Sequence, residues 1–223
     1  MTRLALATPS RPVDAESLDR LGCGADDLDA VSITLDWARE FLGVPHADLG
    51  RRGPVCPYIQ HSFDERLLYV SCRPEVECTS EDLIDAVRAS MRQFTELQQT
   101  ASTSKKHLVS ILIVLPHIDR SSSDDLNALQ RELKDEFVSN GLMIGQFHPQ
   151  CEAHGLWNGE FRPLQSPIPL LAIREMVPSD LPFLVESRLH ASKYFERYAP
   201  SIPAHTRRYL VDRLVDQSAT GQC

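Results

Sequence analysis

The stretch that most limits how this chain can fold is the uninterrupted apolar run at residues 107–115, His-Leu-Val-Ser-Ile-Leu-Ile-Val-Leu. A run without polar alternation is typical of a strand buried on both faces, so we expect it near the centre of a sheet. Residues 67–72, 142–147 and 169–174 also read as strands. Amphipathic spacing predicts helices at 26–41, 80–98, 122–139, 183–198 and 205–217. The predicted fold class is α/β, with a small central sheet of about four strands and helices packed around it.

The length of 223 residues predicts a single domain at 26–223, preceded by a polar, loose lead-in at 1–25. Two loops rich in glycine and proline, 45–65 and 149–167, are longer than a simple connection requires. Loops of this length in a compact domain are more often functional than idle. We therefore expect these two loops to form the walls of a cofactor pocket.

Charge and hydropathy narrow the range of partners. The formal net charge is -8 and no block of lysines and arginines occurs, which argues against a nucleic-acid partner. No apolar run approaches the roughly 20 residues that span a bilayer, and the first residues lack the apolar core of a signal peptide. These features predict a cytoplasmic protein with no membrane partner, whose six scattered cysteines are mainly free thiols.

The strand at 142–147 ends in His148-Pro149, and proline restricts the backbone of the histidine before it. Imidazole is a common ligand of haem iron, so His148 is a candidate axial ligand. Two other interpretations remain open for this residue. It is also consistent with a histidine that only caps the strand end, or with a zinc cluster of His148, Cys151 and His154, although this spacing does not match a familiar zinc motif.

The first long loop contains Cys56-Pro57-Tyr58, and a Cys-Pro dipeptide can present a thiolate to ferric haem. The plain alternative is a small residue buried in a turn. Arg162 and Arg174 lie near the second loop, where they are candidate partners for haem propionates, since arginine pairs with carboxylates in a bidentate way. The sequence lacks the common phosphate-binding, zinc-protease and serine-hydrolase motifs.

Four segments occur in an order that resembles known proteins: 53–58, 111–115, 145–149 and 166–174. This set is similar to an uncharacterised bacterial domain found in natural-product gene clusters. More distantly, it resembles the YqcI/YcgG family of haem proteins, some of which hydroxylate the side-chain nitrogen of arginine-like substrates. The resemblance spans about residues 30–200. Tyr58 stands where phenylalanine is usual in that family, and the residues after His148-Pro149 also differ.

The resemblance implies a haem b site in which His148 is the proximal ligand and Cys56 and Pro57 belong to the pocket wall. It implies an oxygenase that hydroxylates a small amino-acid-derived substrate, with O2 or peroxide and, where needed, an electron donor as further partners. A haem- or metal-binding sensor or carrier without turnover is the alternative. A third reading is a cofactor-free partner protein whose C-terminal helices form a homodimer face. The apolar residues of that face are Leu184, Leu189, Tyr194, Phe195, Tyr209, Leu210 and Leu214.

Overall fold

The fold is described by a computed structural model that covers residues 4–8, 24–75, 77–119 and 123–220. The helices are α1 Ala25–Trp37, α2 Ile59–Asp64, α3 Glu81–Thr100, α4 Ser123–Ser139, α5 Arg188–Tyr198 and α6 Ala204–Thr220. The strands are β1 Leu68–Cys72, β2 Ser110–Val114, β3 Leu142–Phe147 and β4 Leu170–Glu175. A π-helical turn, Ala38–Leu42, extends α1, and 3-10 turns lie at Ala47–Leu49, Thr103–Leu108 and Pro178–Phe183. The prediction of an α/β fold with a four-stranded central sheet is confirmed.

The four strands form one mixed sheet in the order β1-β2-β4-β3. β1 and β2 are parallel, and β4 pairs antiparallel with both β2 and β3. β1, β2 and β3 therefore run in the same direction, with α3 and α4 as the crossover connections between them. β4, the last strand in the chain, fills the space between β2 and β3.

Side chains of β2 enter the core on both faces of the sheet, as the uninterrupted apolar run predicts. Ile111 and Ile113 point into a cluster with α3 and α4, whereas Leu112 and Val114 point into a second cluster with α1, the π-helical turn and α2. All four side chains are buried. This double coverage places β2 and its neighbour β4 in the interior of the protein.

The carboxyl ends of β1, β2 and β3 lie at one edge of the sheet, and β4 begins at the same edge. The loop that leaves β3 at His148 and returns to β4 is therefore anchored at this edge at both ends. Carboxyl edges of parallel strands are a common location for ligand sites in α/β proteins. The topology thus brings the second long loop to a favourable place for a site.

Two details differ from the sequence-based expectations. Helix α2 lies inside the segment expected to be a loop, because Ile59 and Phe63 are one turn apart and both bury against the sheet. Residues 4–8 of the expected loose lead-in lie along β1, where the backbone groups of Ala7 bond those of Val70. The remainder of that lead-in, up to residue 23, lies outside the described residues.

The expected homodimer face at the C-terminus is only partly exposed. Leu184 is fully buried, because it packs on Val138 and Met176 within the chain, and it is not available to a second copy. Leu189 and Tyr209 are exposed. In the described part of the chain, no helix has the length and apolar character needed to cross a membrane.

Candidate functional site

His148 closes the base of the loop that follows β3. Its backbone N–H donates to the carbonyl of Leu164 at 3.3 Å, and its carbonyl accepts from the N–H groups of Cys151 at 3.1 Å and Ser166 at 3.4 Å. The histidine therefore connects the beginning of the loop to its end. Pro149 cannot donate a backbone hydrogen bond, so the strand ladder stops here, as the sequence predicts.

The side chain of His148 is only 2% exposed. Its Nε2 lies 3.1 Å from Oδ1 of Asn127 on α4. Its Nδ1 is buried and has no hydrogen-bond partner among the described residues. Burial lowers the pKa of His148, with the nearby charge of Asp124 acting in the opposite direction, so the imidazole is neutral at pH 7. A neutral, buried imidazole with an unused nitrogen fits a metal ligand or a hydrogen-bond acceptor for a ligand.

A cleft of about 480 Å³ lies between the two long loops, which we call the interloop cleft. It is lined by Phe41, His46, Asp48, Asn158, Glu160, Phe161, Arg162 and Gln165. The volume is in the range of small-molecule sites, which is about 300–1,000 Å³. His148 does not line the cleft, but the residues on both sides of Gln165 bond its backbone. The backbone of His148 thus adjoins the cleft wall, whereas its imidazole is directed to Asn127 on α4.

Aromatic rings form one side of the interloop cleft. The rings of His46 and Phe161 have centroids 4.8 Å apart, and Phe41 lies 6.0 Å from Phe161. Trp37 continues this row, since its ring stacks on Phe41 at 5.9 Å and meets Phe147 edge-on at 5.7 Å. The row runs from the end of β3 to the cleft, where Phe41, His46 and Phe161 provide an aromatic wall for a ligand.

Charged groups also line the cleft. The guanidinium of Arg162 donates to the carbonyls of Gly159 and Phe161 and makes no ion pair with a carboxylate of the described residues. Asp48 and Glu160 supply two carboxylates at the cleft, and Glu160 has no cation partner in the part of the chain that the structure describes. Nδ1 of His46 accepts the N–H of Asp48 at 3.1 Å. The cleft therefore offers both donors for an anion and acceptors for a cation.

Two contacts hold the loops together at the cleft. The side-chain amide of Asn158 donates to the carbonyl of Asp48 at 2.8 Å. Gly50 has φ 76° and lies so close to Trp157 that a Cβ atom would come within 2.8 Å of its carbonyl oxygen. The spacing of the loops thus depends on a glycine in one loop and an asparagine in the other.

The other residues predicted for the site do not line the interloop cleft. Cys56 is half-buried in the apolar cluster beneath α1 and α2, and Tyr58 packs edge-on against His107 at 6.0 Å. Pro57 is exposed.

Arg174 makes a two-point ion pair with the buried carboxylate of Asp180, at 2.7 and 2.6 Å. Arg174 is four residues along β4 from the edge where His148 lies, about 13 Å at the rise of a strand. Of the predicted residues, Arg162 lines the interloop cleft, and only the backbone of His148 adjoins its wall.

The surroundings of the three candidate zinc ligands do not favour a zinc site. Cys151 is 2% exposed, and burial raises the pKa of its thiol, which disfavours the thiolate that binds metals. Nδ1 of His154 contacts the carbonyl of Gly159. Within the residues that the structure covers, no group of three or more His, Cys, Asp and Glu side chains is placed to hold a metal ion.

A second, smaller cleft of about 310 Å³ lies on the other side of this loop. It is lined by Asp124, Asn127, Gln130, Arg131, Gln146, Cys151, Glu152 and Ala153. Sequence reasoning did not identify Asn127, because one amide on the polar face of a helix carries no distinguishing pattern. It also missed His46, for which the available signal was a histidine inside a long loop.

The fold and these clefts define an α/β protein with a ligand-sized cleft between two long loops, next to the carboxyl edge of its sheet. Residues 31–209 match the family model described as a domain of unknown function, DUF6875. The chain therefore belongs to the DUF6875 family. No curated protein and no solved structure matches it.

Proposed function

We propose that this protein binds a small, amino-acid-derived molecule in the interloop cleft. The observation that carries this proposal is the combination of an aromatic wall with Arg162, whose guanidinium has no carboxylate partner among the described residues. Arg162 suits a ligand carboxylate, Asp48 and Glu160 suit an ammonium group, and Phe41 with Phe161 suit an apolar side chain. These are the three parts of an amino acid.

A ligand series tests each part of this proposal. We expect phenylalanine to bind more tightly than phenethylamine, which lacks the carboxylate, and than 3-phenylpropionate, which lacks the ammonium group. Isothermal titration calorimetry with the full chain measures the three dissociation constants. Equal binding of all three compounds, or binding of none, would contradict the assignment of the cleft.

The variant Arg162→Gln should weaken binding of phenylalanine about tenfold or more, because a hydrogen bond to a charged group contributes about 1.5–3 kcal/mol. Binding of phenethylamine should not change, since it has no carboxylate. Arg208→Gln is the matched control, because Arg208 is exposed on α6, away from the cleft residues in sequence and fold.

A second candidate function is a haem-dependent oxygenase that hydroxylates the molecule bound in the cleft. The buried, neutral imidazole of His148, with its unused Nδ1, favours this candidate, as does the resemblance to the YqcI/YcgG family. Nδ1 is the ring nitrogen without a partner among the described residues and is the one that would hold iron, whereas Nε2 is engaged by Asn127. The imidazole bonds Asn127 on α4, which packs on the opposite face of the sheet from the cleft residue Phe41, so iron in the interloop cleft would reach His148 only after the loop rearranged.

In this candidate, a bound haem b would supply the activation of O2 or peroxide. The chain itself would orient the substrate through Arg162 and the aromatic wall and would hold the cofactor through His148. Reaction with O2 would need two electrons from a donor, since one oxygen atom enters the substrate and the other leaves as water. Reaction with peroxide would need no donor.

Absorption spectra of protein expressed with a haem precursor test this candidate in the ferric, dithionite-reduced and CO-bound states. A Soret band that shifts with CO and is lost in His148→Gln would support a haem enzyme with an open coordination position. A Soret band that does not respond to CO or cyanide would favour the sensor or carrier alternative. The absence of a Soret band would reject haem and leave the cleft proposal to be judged by calorimetry.

A further inference from the structure

The ring of His148 has two nitrogen atoms in different surroundings. Nε2 lies 3.1 Å from the side-chain oxygen of Asn127, and Nδ1 is buried without a partner among the described residues. Asn127 belongs to α4, a helix of 17 residues that packs on the sheet through Leu126 and Leu133. The hydrogen-bond partner of Nε2 therefore sits on a rigid element rather than on the loop.

A neutral imidazole carries one proton, and its location follows from the acceptor beside it. The carbonyl oxygen of Asn127 has no proton to give, so it pairs with an N–H at Nε2. The lone pair then lies on Nδ1. In the opposite tautomer, the lone pair of Nε2 would face the oxygen of Asn127, which is repulsive. The N–H at Nδ1 would also be buried without an acceptor, which is a second unfavourable contribution to the free energy.

We infer that Asn127 is a positioning residue that holds His148 as the Nε2–H tautomer and leaves Nδ1 as the only nitrogen able to bind a transition metal. Histidines that bind metals commonly donate their other ring N–H to a fixed acceptor, which sets the tautomer and the ring orientation. Asn127 supplies that acceptor in advance of any metal. The inference concerns the same histidine as the haem candidate, but the tautomer is a property of the chain alone.

Nitrogen NMR of the haem-free protein tests this inference directly. Two-bond correlations in ¹⁵N-labelled protein at pH 8 separate an N–H nitrogen from a nitrogen with a lone pair, and His148→Gln identifies the signals of His148 among the eight histidines. We expect Nε2 to appear as the protonated nitrogen and Nδ1 as the unprotonated one. A protonated Nδ1 in the wild-type protein would overturn the inference.

Variants of Asn127 separate positioning from packing. Asn127→Leu removes the acceptor and should abolish the preference for the Nε2–H tautomer, whereas Asn127→Asp keeps an oxygen at this position and should restore it. Asn140→Leu is the control, because Asn140 lies at the end of the same helix and bonds the carbonyl of Glu136 instead. An unchanged tautomer in Asn127→Leu would also overturn the inference.

The NMR result for the tautomer of His148 is independent of whether the protein binds haem. A missing Soret band rejects haem and does not change the nitrogen spectrum of the haem-free protein. A protonated Nδ1, in contrast, removes the role of Asn127 even if haem binds.

Discussion

At the scale of single residues, the absence of one side chain determines how closely the two long loops approach. Gly50 has φ 76°, a backbone conformation that residues with a Cβ atom rarely adopt. An added Cβ would also lie 2.8 Å from the carbonyl oxygen and 2.9 Å from the Cβ of Trp157. The interloop cleft therefore depends on a glycine at this position.

We predict that Gly50→Ala destabilises the protein by about 1–3 kcal/mol, the range for a residue forced into a left-handed conformation. Chemical denaturation measures the change in the free energy of unfolding. Gly159→Ala is the control within the same pair of loops, because no atom lies within 4 Å of a Cβ added there. If both substitutions change the free energy of unfolding equally, the close contact between Gly50 and Trp157 does not contribute to stability.

The buried imidazole of His190 should make stability depend on pH. Burial lowers the pKa of His190, while the hydrogen bond of its Nε2 with Asp135, at 2.7 Å, acts in the opposite direction. Below about pH 6.5, the ordinary pKa of histidine, the unfolded chain takes up a proton that the folded protein does not. The contribution of this group is therefore present above about pH 6.5 and is lost on acidification.

His190→Gln should reduce the slope of unfolding free energy against pH between about pH 5 and pH 7. Urea denaturation at several pH values within this range measures the slope. His205→Gln is the control, since His205 is exposed. An identical slope in the wild-type protein and in His190→Gln would contradict the prediction.

The position of His148 could be predicted from sequence, whereas its partner could not. An apolar run followed by His-Pro marks the end of a strand by local rules alone. The contact with Asn127 joins residues that are 21 positions apart, and it exists only after α4 packs on the sheet. The same reason explains why the ion pair of Arg174 with Asp180 was not predicted, since this carboxylate approaches only when the backbone turns after β4.

At the scale of secondary structure, the π-helical turn after α1 aligns the aromatic row. The N–H of Gly43 donates to the carbonyl of Ala38 at 3.0 Å, which is the wider spacing of a π turn. Trp37, the last residue of α1, and Phe41 in this turn stack with their ring planes inclined by 21°. A Cβ at Gly43 would lie 2.7 Å from the carbonyl oxygen of Arg39, so the turn requires glycine where it ends.

Gly43→Ala should therefore disturb the stacking of Trp37 on Phe41 and weaken ligand binding in the cleft. The near-ultraviolet circular dichroism of Trp37 reports the stacking, and the variant Trp157→Phe removes the only other tryptophan of the chain. Gly159→Ala in the same background should leave the spectrum unchanged. An unaltered tryptophan signal in Gly43→Ala would show that the turn tolerates a side chain.

Long elements with a regular pattern were predictable, and short or non-local features were not. The bounds of β3 agree with the sequence, since its apolar run lies between a glycine turn and a proline. Helix α2 has six residues, too few for a periodic signal to be separated from a loop. The place of β4 between β2 and β3 depends on pairing between distant segments, which no local pattern encodes.

At the scale of the whole molecule, two apolar clusters share one sheet. Cys72 belongs to the cluster beneath α1, and Cys78 belongs to the cluster beneath α3 and α4. Both thiols are buried, and burial together with the charge of Asp125 raises the pKa of Cys78 to about 11. The helices on both faces pack on the same four strands. If the sheet unfolds, both apolar clusters become exposed to solvent, so we expect the two faces of the sheet to unfold together.

We predict that labelling of Cys72 and Cys78 by a thiol reagent gives the same free energy of opening across a denaturant series. Mass spectrometry of the digested protein measures the two sites separately. Cys56, which is half-buried, should react earlier and serves as the reference for local access. Labelling of one face at a lower denaturant concentration than the other would show that the layers unfold independently.

The insertion of β4 between two earlier strands has a consequence for synthesis on the ribosome. A nascent chain that has exposed β1, β2 and β3 still lacks the strand that pairs with both β2 and β3. Until residues 170–175 emerge, the backbone groups of β3 and one side of β2 have no partner from β4, and unpaired edges of this kind favour aggregation. The sheet can therefore be completed only after the loop between β3 and β4 has been made, so the interloop cleft and the centre of the fold arise in the same late step.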